Sequence, residues 1–178
     1  MHAPAEPTGT VDAAPGDLGA AVARLEAAFR RIERTRMAGL PLLHPRLTVQ
    51  AVDFATARPE PSTPRALPAS AAPSLACGVL VTPWFMNLVQ LPLHADGVAA
   101  LPAPGDAADL EVGGWTFRFH GQHEAGCGRF AAASLVSPMA EFADQAAAVA
   151  TARALLERLR PVPARRLFLR GRGTGAVA

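Results

Sequence analysis

Residues 75–93, LACGVLVTPWFMNLVQLPL, form the most apolar stretch of the chain and limit its fold more than any other segment. At 19 residues the stretch nearly reaches the length of a bilayer span. Pro83 stands at its centre, Asn87 and Gln90 follow, and Pro92 lies close to its end. A helix in lipid would have to shelter those amides and the backbone groups freed by the proline break. Two buried strands joined at Thr82–Pro83 account for the same residues without that cost. The expectation is therefore a core hairpin and no insertion into the membrane.

The surrounding segments supply helices and further strands. Asp17 is a candidate N-cap, and Leu18, Val22, Leu25, Phe29 and Ile32 recur at steps of four and three, the spacing of one helical face. Gly39 and Pro41 stop that pattern, so a helix is predicted over 17–37. A strand is expected at 47–54, and 55–74, with five prolines and little to bury, reads as a flexible internal linker. His94 to Val112 reads as an acidic loop. Trp115–His120 alternates as a strand does, Gly121–Gly128 as a glycine-bounded turn, and Arg129–Val136 as the returning strand. Ser137–Pro138 is expected to open a last helix that presents Phe142, Gln145, Val149, Ala152, Leu156 and Leu159, and Pro161 to end it. Arg165–Arg172 is a candidate final strand. The predicted class is α+β, a mainly antiparallel sheet of four to five strands packed against an N-terminal and a C-terminal helix. One domain is expected over 17–172, with disordered tails at 1–16 and 173–178.

Charge is distributed unevenly. All 17 basic residues are arginines, against 15 acids, for a net charge of +2. That total hides −3 over residues 1–20, +4 over 21–46, −5 over 47–152 and +6 over 153–178. The near-neutral sum excludes a simple polycation that coats nucleic acid, and the arginines lack interleaved aromatics apart from Phe168. The absence of lysine fits a GC-rich genome. No apolar segment or early cation marks an export signal at the N-terminus, so a cytoplasmic location and two unpaired thiols, Cys77 and Cys127, are expected.

Catalytic chemistry has little to stand on. There is no phosphate-binding glycine loop, no nucleophile elbow and no lysine for a Schiff base. Asp106, Asp109 and Glu111 fall in a polar segment and read as a solvated surface rather than an acid–base pair. His120, His123 and Cys127, with Glu124 beside them, are the only metal-like group, a candidate zinc or nickel site in the hairpin turn. They lack the paired Cys-x-x-Cys spacing of a strong zinc signal. A small metal-handling or redox-accessory protein built on that turn is the alternative reading.

The stretch from Gly78 through Thr82-Pro83-Trp84-Phe85-Met86-Asn87 to Val89 is followed by Ser134-Leu135-Val136-Ser137-Pro138-Met139 and Phe142-Ala143-Asp144. Leu43-His44-Pro45 precedes it and Arg165-Arg166-Leu167-Phe168 comes last. In this order the residues resemble the HybE/HupJ/HoxT family of [NiFe]-hydrogenase assembly chaperones, over about residues 20 to 172. The resemblance implies a cytoplasmic helper without enzymatic activity or cofactor. It would act on the small-subunit precursor of a membrane-bound hydrogenase, which carries a twin-arginine signal peptide. It would also imply contact with the large subunit and other maturation factors, and in some members a link to rubredoxin. The long 55–74 segment and the His120–Cys127 group are not features of that family pattern, and no rubredoxin-like pair of Cys-x-x-Cys motifs is present.

A receptor for two arginines followed by an apolar segment needs acid beside an apolar groove. Trp84, Phe85, Met86 and Asn87 are the candidate groove residues and Asp106, Asp109 and Glu111 its rim, with Pro138 and Met139 as further partner contacts and Met86 and Met139 supplying adaptable packing. The alternative for Trp84, Phe85 and Met86 is a place in the core.

Overall fold

The computed structural model describes residues 17–57 and 74–160. The expected tails, the 58–73 part of the linker and the strand expected at 165–172 lie outside the described residues. Helix α1 (Leu18–Arg34) starts as anticipated, with the Asp17 carboxylate accepting from Ala20 N at 3.2 Å. Six strands follow: β1 (Gln50–Ala57), β2 (Leu75–Val81), β3 (Met86–Pro92), β4 (Ala107–Val112), β5 (Trp115–Glu124) and β6 (Gly128–Val136). A short helix α2 (Ala95–Ala100) leaves β3, and α3 (Gln145–Leu159) comes after β6. The strands form one sheet in the order β1-β2-β3-β6-β5-β4, every neighbouring pair antiparallel.

The apolar block folds as the hairpin β2–β3 and sits inside the sheet. Side chains of a strand alternate between faces, and here both faces are buried. Ala76, Leu80, Val89 and Leu91 pack against Leu25, Phe29 and Ile32 of α1. Val79, Val81, Met86 and Leu88 pack on the other face with Ala148, Val149 and Ala152 of α3. The result is three layers, helix, sheet and helix. Polar ties fix the helices to the edge strand and the residues just before it: Glu26 Oε1 accepts from Ala51 N at 2.7 Å, and Gln145 Oε1 accepts from Thr48 N at 2.9 Å. Gly78 interrupts an otherwise bulky strand because the Phe54 ring lies across it; a Cβ there would fall 2.5 Å from Phe54 Cγ.

Several expectations need correction. Among the described residues the sheet has six strands rather than four or five, because Ala107–Val112 is a strand and not part of a loop. Ala108, Leu110 and Val112 alternate with Asp109 and Glu111, and the apolar set faces the core. Within the same expected loop, Ala95–Ala100 is the helix α2. Strand β5 continues to Glu124, so the turn shrinks to Ala125–Cys127. The first strand runs to Ala57, which shortens the segment read as linker. Ser137–Pro138 does not open α3: the helix begins at Gln145, where the Asp144 carboxylate accepts from Ala147 N at 2.9 Å. Capping by that carboxylate decided the start, and Phe142 packs on the core from the preceding turn.

Gly78→Val should lower stability by about 1–3 kcal/mol through overpacking against Phe54. Urea unfolding would read this as a lower midpoint at unchanged slope.

Candidate partner-binding site

The Thr82–Phe85 turn is built around one buried hydroxyl. Thr82 Oγ1 accepts from Phe85 N at 3.0 Å and Trp84 N at 3.3 Å, and donates to the Phe85 carbonyl at 3.0 Å. The Pro83 carbonyl accepts from His44 N at 2.9 Å, and Ser137 Oγ donates to the Trp84 carbonyl at 3.4 Å. These bonds hold Trp84 and Phe85, both half-buried, against α1. Phe29 is the hub: its ring centroid lies 5.7 Å from Phe85, 5.8 Å from Phe130 and 6.5 Å from Trp84. Edge-to-face packing of this kind favours a fixed arrangement of the rings.

A groove of about 380 Å³ opens beside this cluster. Phe29, Ile32, Arg36 and Met37 form one wall, Trp84 and Phe85 one end, and Asn87, Ser134, Ala132, Phe130, His120, Gln122 and Glu124 the floor. The Arg36–Glu124 ion pair stands at the far end. Asn87 Oδ1 is buried in this region and has no hydrogen-bond partner among the described residues. A buried acceptor without a donor is costly.

The groove continues into an open sheet surface. His120 lies opposite Ala132 and Ala107, and Arg118 opposite Asp109, so register and alternation place Arg118, His120, Gln122, Ser134, Asp109 and Glu111 on the same face as the groove. All six are exposed, whereas the opposite side of β5 turns Phe117 and Phe119 to the core under α3. Asp109 pairs with Arg118 at 3.2 Å. Among the described residues Glu111 has no ion-pair partner, and Asp106 is exposed at the entry to β4.

The residues singled out from sequence therefore part company. Trp84, Phe85 and Asn87 line the groove; Asp109 and Glu111 lie on the same face, three strands away from β3. Met86 and Met139 are fully buried in the α3-side core, and Pro138 is exposed nearby. Met86 belongs to the other face because it is next to Asn87 on a strand. Sequence reasoning missed the α1 wall and the polar side of β5. The second was visible in the alternation of Thr116, Arg118, His120 and Gln122 with Trp115, Phe117 and Phe119.

The metal-like group does not come together. His120 and His123 are three apart on β5 and so project from opposite faces. Among the described residues no three His, Cys, Asp or Glu side chains are placed to hold an ion. Burial, reinforced by Glu124, pushes the Cys127 thiol up to about 11, and burial pushes Cys77 up to about 11 as well. Both are protonated at neutral pH, which suits neither metal binding nor nucleophilic attack. No described helix is long and apolar enough to cross a membrane.

Comparison with known proteins follows the same lines. Residues 20–174 match the family described as "[NiFe]-hydrogenase assembly, chaperone, HybE". The HoxT protein of Azotobacter vinelandii is 38% identical over 136 residues, 76% of this chain and 78% of that protein. The HoxT protein of Cupriavidus necator is 36% identical over 146 residues, 80% of this chain and 76% of that one. The solution structure of HybE from Escherichia coli shares the fold, with a TM-score of 0.54 at 22% identity over 90% of this chain and 95% of that chain. This chain thus belongs to the HybE/HoxT/HupJ family of [NiFe]-hydrogenase assembly chaperones, a family of maturation factors and not of enzymes.

Proposed function

We propose that this chaperone acts in the cytoplasm on the small-subunit precursor of a membrane-bound [NiFe]-hydrogenase and holds its twin-arginine signal peptide across the open sheet face. The observation that carries the reading is the pairing, on one face, of an aromatic groove with acids at a distance suited to an extended peptide. From β3 to β4 is three strand spacings, about 14 Å at roughly 4.8 Å each. An extended chain covers that span in about four residues. Two arginines over Asp109 and Glu111 would then send the following apolar residues into the groove beside Trp84 and Phe85. Contact of the complex with the large subunit and with other maturation factors belongs to the same proposal.

Electrostatics would set the rate and register of such binding, and the aromatic contacts its strength. Trp84→Ala should weaken binding of the precursor's N-terminal peptide by tenfold or more, about 1.4 kcal/mol or above. The double change Asp109→Arg, Glu111→Arg should weaken it further and flatten its dependence on salt. Calorimetric titrations at several salt concentrations measure both; salt-independent binding unaltered by the acid reversals refutes the acidic rim.

Thr82→Val keeps the shape of the side chain but leaves the N–H groups of Trp84 and Phe85 unpaired. It should cost about 1–3 kcal/mol in stability and loosen peptide binding, whereas Thr82→Ser should retain both. Thermal unfolding and the same titrations separate the two variants.

A further inference from the structure

The chain carries its own copy of the pattern that the open face is proposed to read. Arg165-Arg166 is followed at once by Leu167-Phe168-Leu169 and then Arg170, two adjacent cations ahead of an apolar segment. We propose that this C-terminal segment docks on the chain's own β4–β5 face and competes there with the incoming signal peptide.

Three observations support that occupant. The first is where the described chain ends. The backbone of Leu159, the last residue of α3, lies directly against the β4–β5 turn, so close that a Cβ on Gly113 would collide with its carbonyl. The described chain therefore ends at the edge of the sheet that carries the two acids. The second is reach. Four residues lie between Arg160 and Arg165, a reach of five steps or about 17 Å when extended, against a layer spacing of about 10 Å. The segment can round the edge at Gly113–Gly114 and bring Arg165 and Arg166 over Glu111 and Asp109. Leu167 to Leu169 then extend toward the Trp84 end of the groove.

The third observation is charge complementarity. Residues 161–178 carry four arginines and no acid, and the nearest carboxylates on the open face are exposed: Asp109 shares a surface pair with Arg118, and Glu111 has no partner among the described residues. Trp115, 61% exposed, flanks the same turn and adds apolar surface at the exit. A tethered segment has a high effective concentration, so modest contacts suffice to hold it.

The consequence is a threshold. A ligand that needs a face occupied nine-tenths of the time binds about tenfold more weakly than it would to the open face. Only a peptide with better contacts than the chain's own segment displaces it, which gives selectivity against weak double-arginine sequences. This competitive role rests on the signal-peptide reading above; the docking itself does not.

The test uses the full chain and its Arg165→Glu, Arg166→Glu variant. Backbone amide shifts are compared first without any peptide. Docking predicts changes at residues 107–118 and near Trp84, independent of protein concentration. It also predicts that Asp109→Arg, Glu111→Arg added to the tail variant restores the original pattern. The precursor's N-terminal peptide is then titrated, with about tenfold tighter binding expected for the tail variant than for the native chain. Shift changes with no peptide binding to either form would support the docking and overturn the signal-peptide reading. Unchanged shifts with equal peptide affinity would overturn the docking while leaving that reading intact. Shift changes that grow with concentration would place the segment on a second copy and refute docking within one chain.

Discussion

Burial of the β2–β3 hairpin on both of its faces is the constraint from which the rest of the structure follows. Val79, Val81, Met86 and Leu88 on one side and Ala76, Leu80, Val89 and Leu91 on the other cannot be covered by a single helix. Burying each large apolar side chain is worth about 1.5–3 kcal/mol, so leaving either face in water would remove much of the stability of a small domain. Helix α1 answers one face and α3 the other. The carboxylate of Glu26 and the amide of Gln145 then lock both helices to the start of β1, where an edge strand would otherwise present unpaired backbone groups.

Coverage is unequal, and the site arises from that inequality. Helix α3 lies over a face whose apolar residues continue through Phe117 and Phe119 to Leu110 and Val112. On the α1 face the apolar residues stop near Phe130 and Ala132, and Arg118, His120, Gln122, Asp109 and Glu111 continue in their place. A polar half-face needs no helix and remains accessible. The groove lies at the boundary, where the aromatic cluster around Phe29 meets the polar floor. An interface that joins an apolar core to a polar rim is the usual anatomy of a binding site, and here the sheet supplies both from neighbouring strands.

Much of this was legible in the sequence, and what was missed has physical causes. The break at Pro83, the cap at Asp17 and the alternation in Trp115–Phe119 gave the hairpin, the first helix and β5. The strand β4 was overlooked because acids attract the reading of a solvated loop; Asp109 and Glu111 are exposed, yet Leu110 and Val112 between them are core. A start for α3 at Ser137–Pro138 gave weight to a proline signal over the carboxylate of Asp144, which makes the cap. For the site, strand alternation separates Met86 from its neighbours: a run of four residues cannot all line one groove when side chains alternate. The α1 wall could not be found from local pattern at all, because Phe29 and Arg36 meet β3 and β6 only through tertiary packing.

The charge blocks also change meaning once placed in space. The middle of the chain is strongly acidic in sequence, but its acids do not gather into one patch. Asp144 caps α3, Asp96 accepts from Ser74 N at 3.1 Å, Asp53 faces Arg153 at 3.6 Å, and Glu124 pairs with Arg36. Each of these carboxylates has a partner within the fold. The β4 acids differ: Asp109 meets only an exposed arginine across the strand pair, and exposed pairs of that kind are worth about 1 kcal/mol or less. A cation of a partner can therefore replace Arg118 at small cost, whereas displacing Asp144 or Glu124 would loosen a helix cap or the hairpin tip. Electrostatic recognition on this face thus narrows from a broad acidic segment to Asp109 and Glu111 on the edge strand, where negative charge is available without dismantling the structure that presents it.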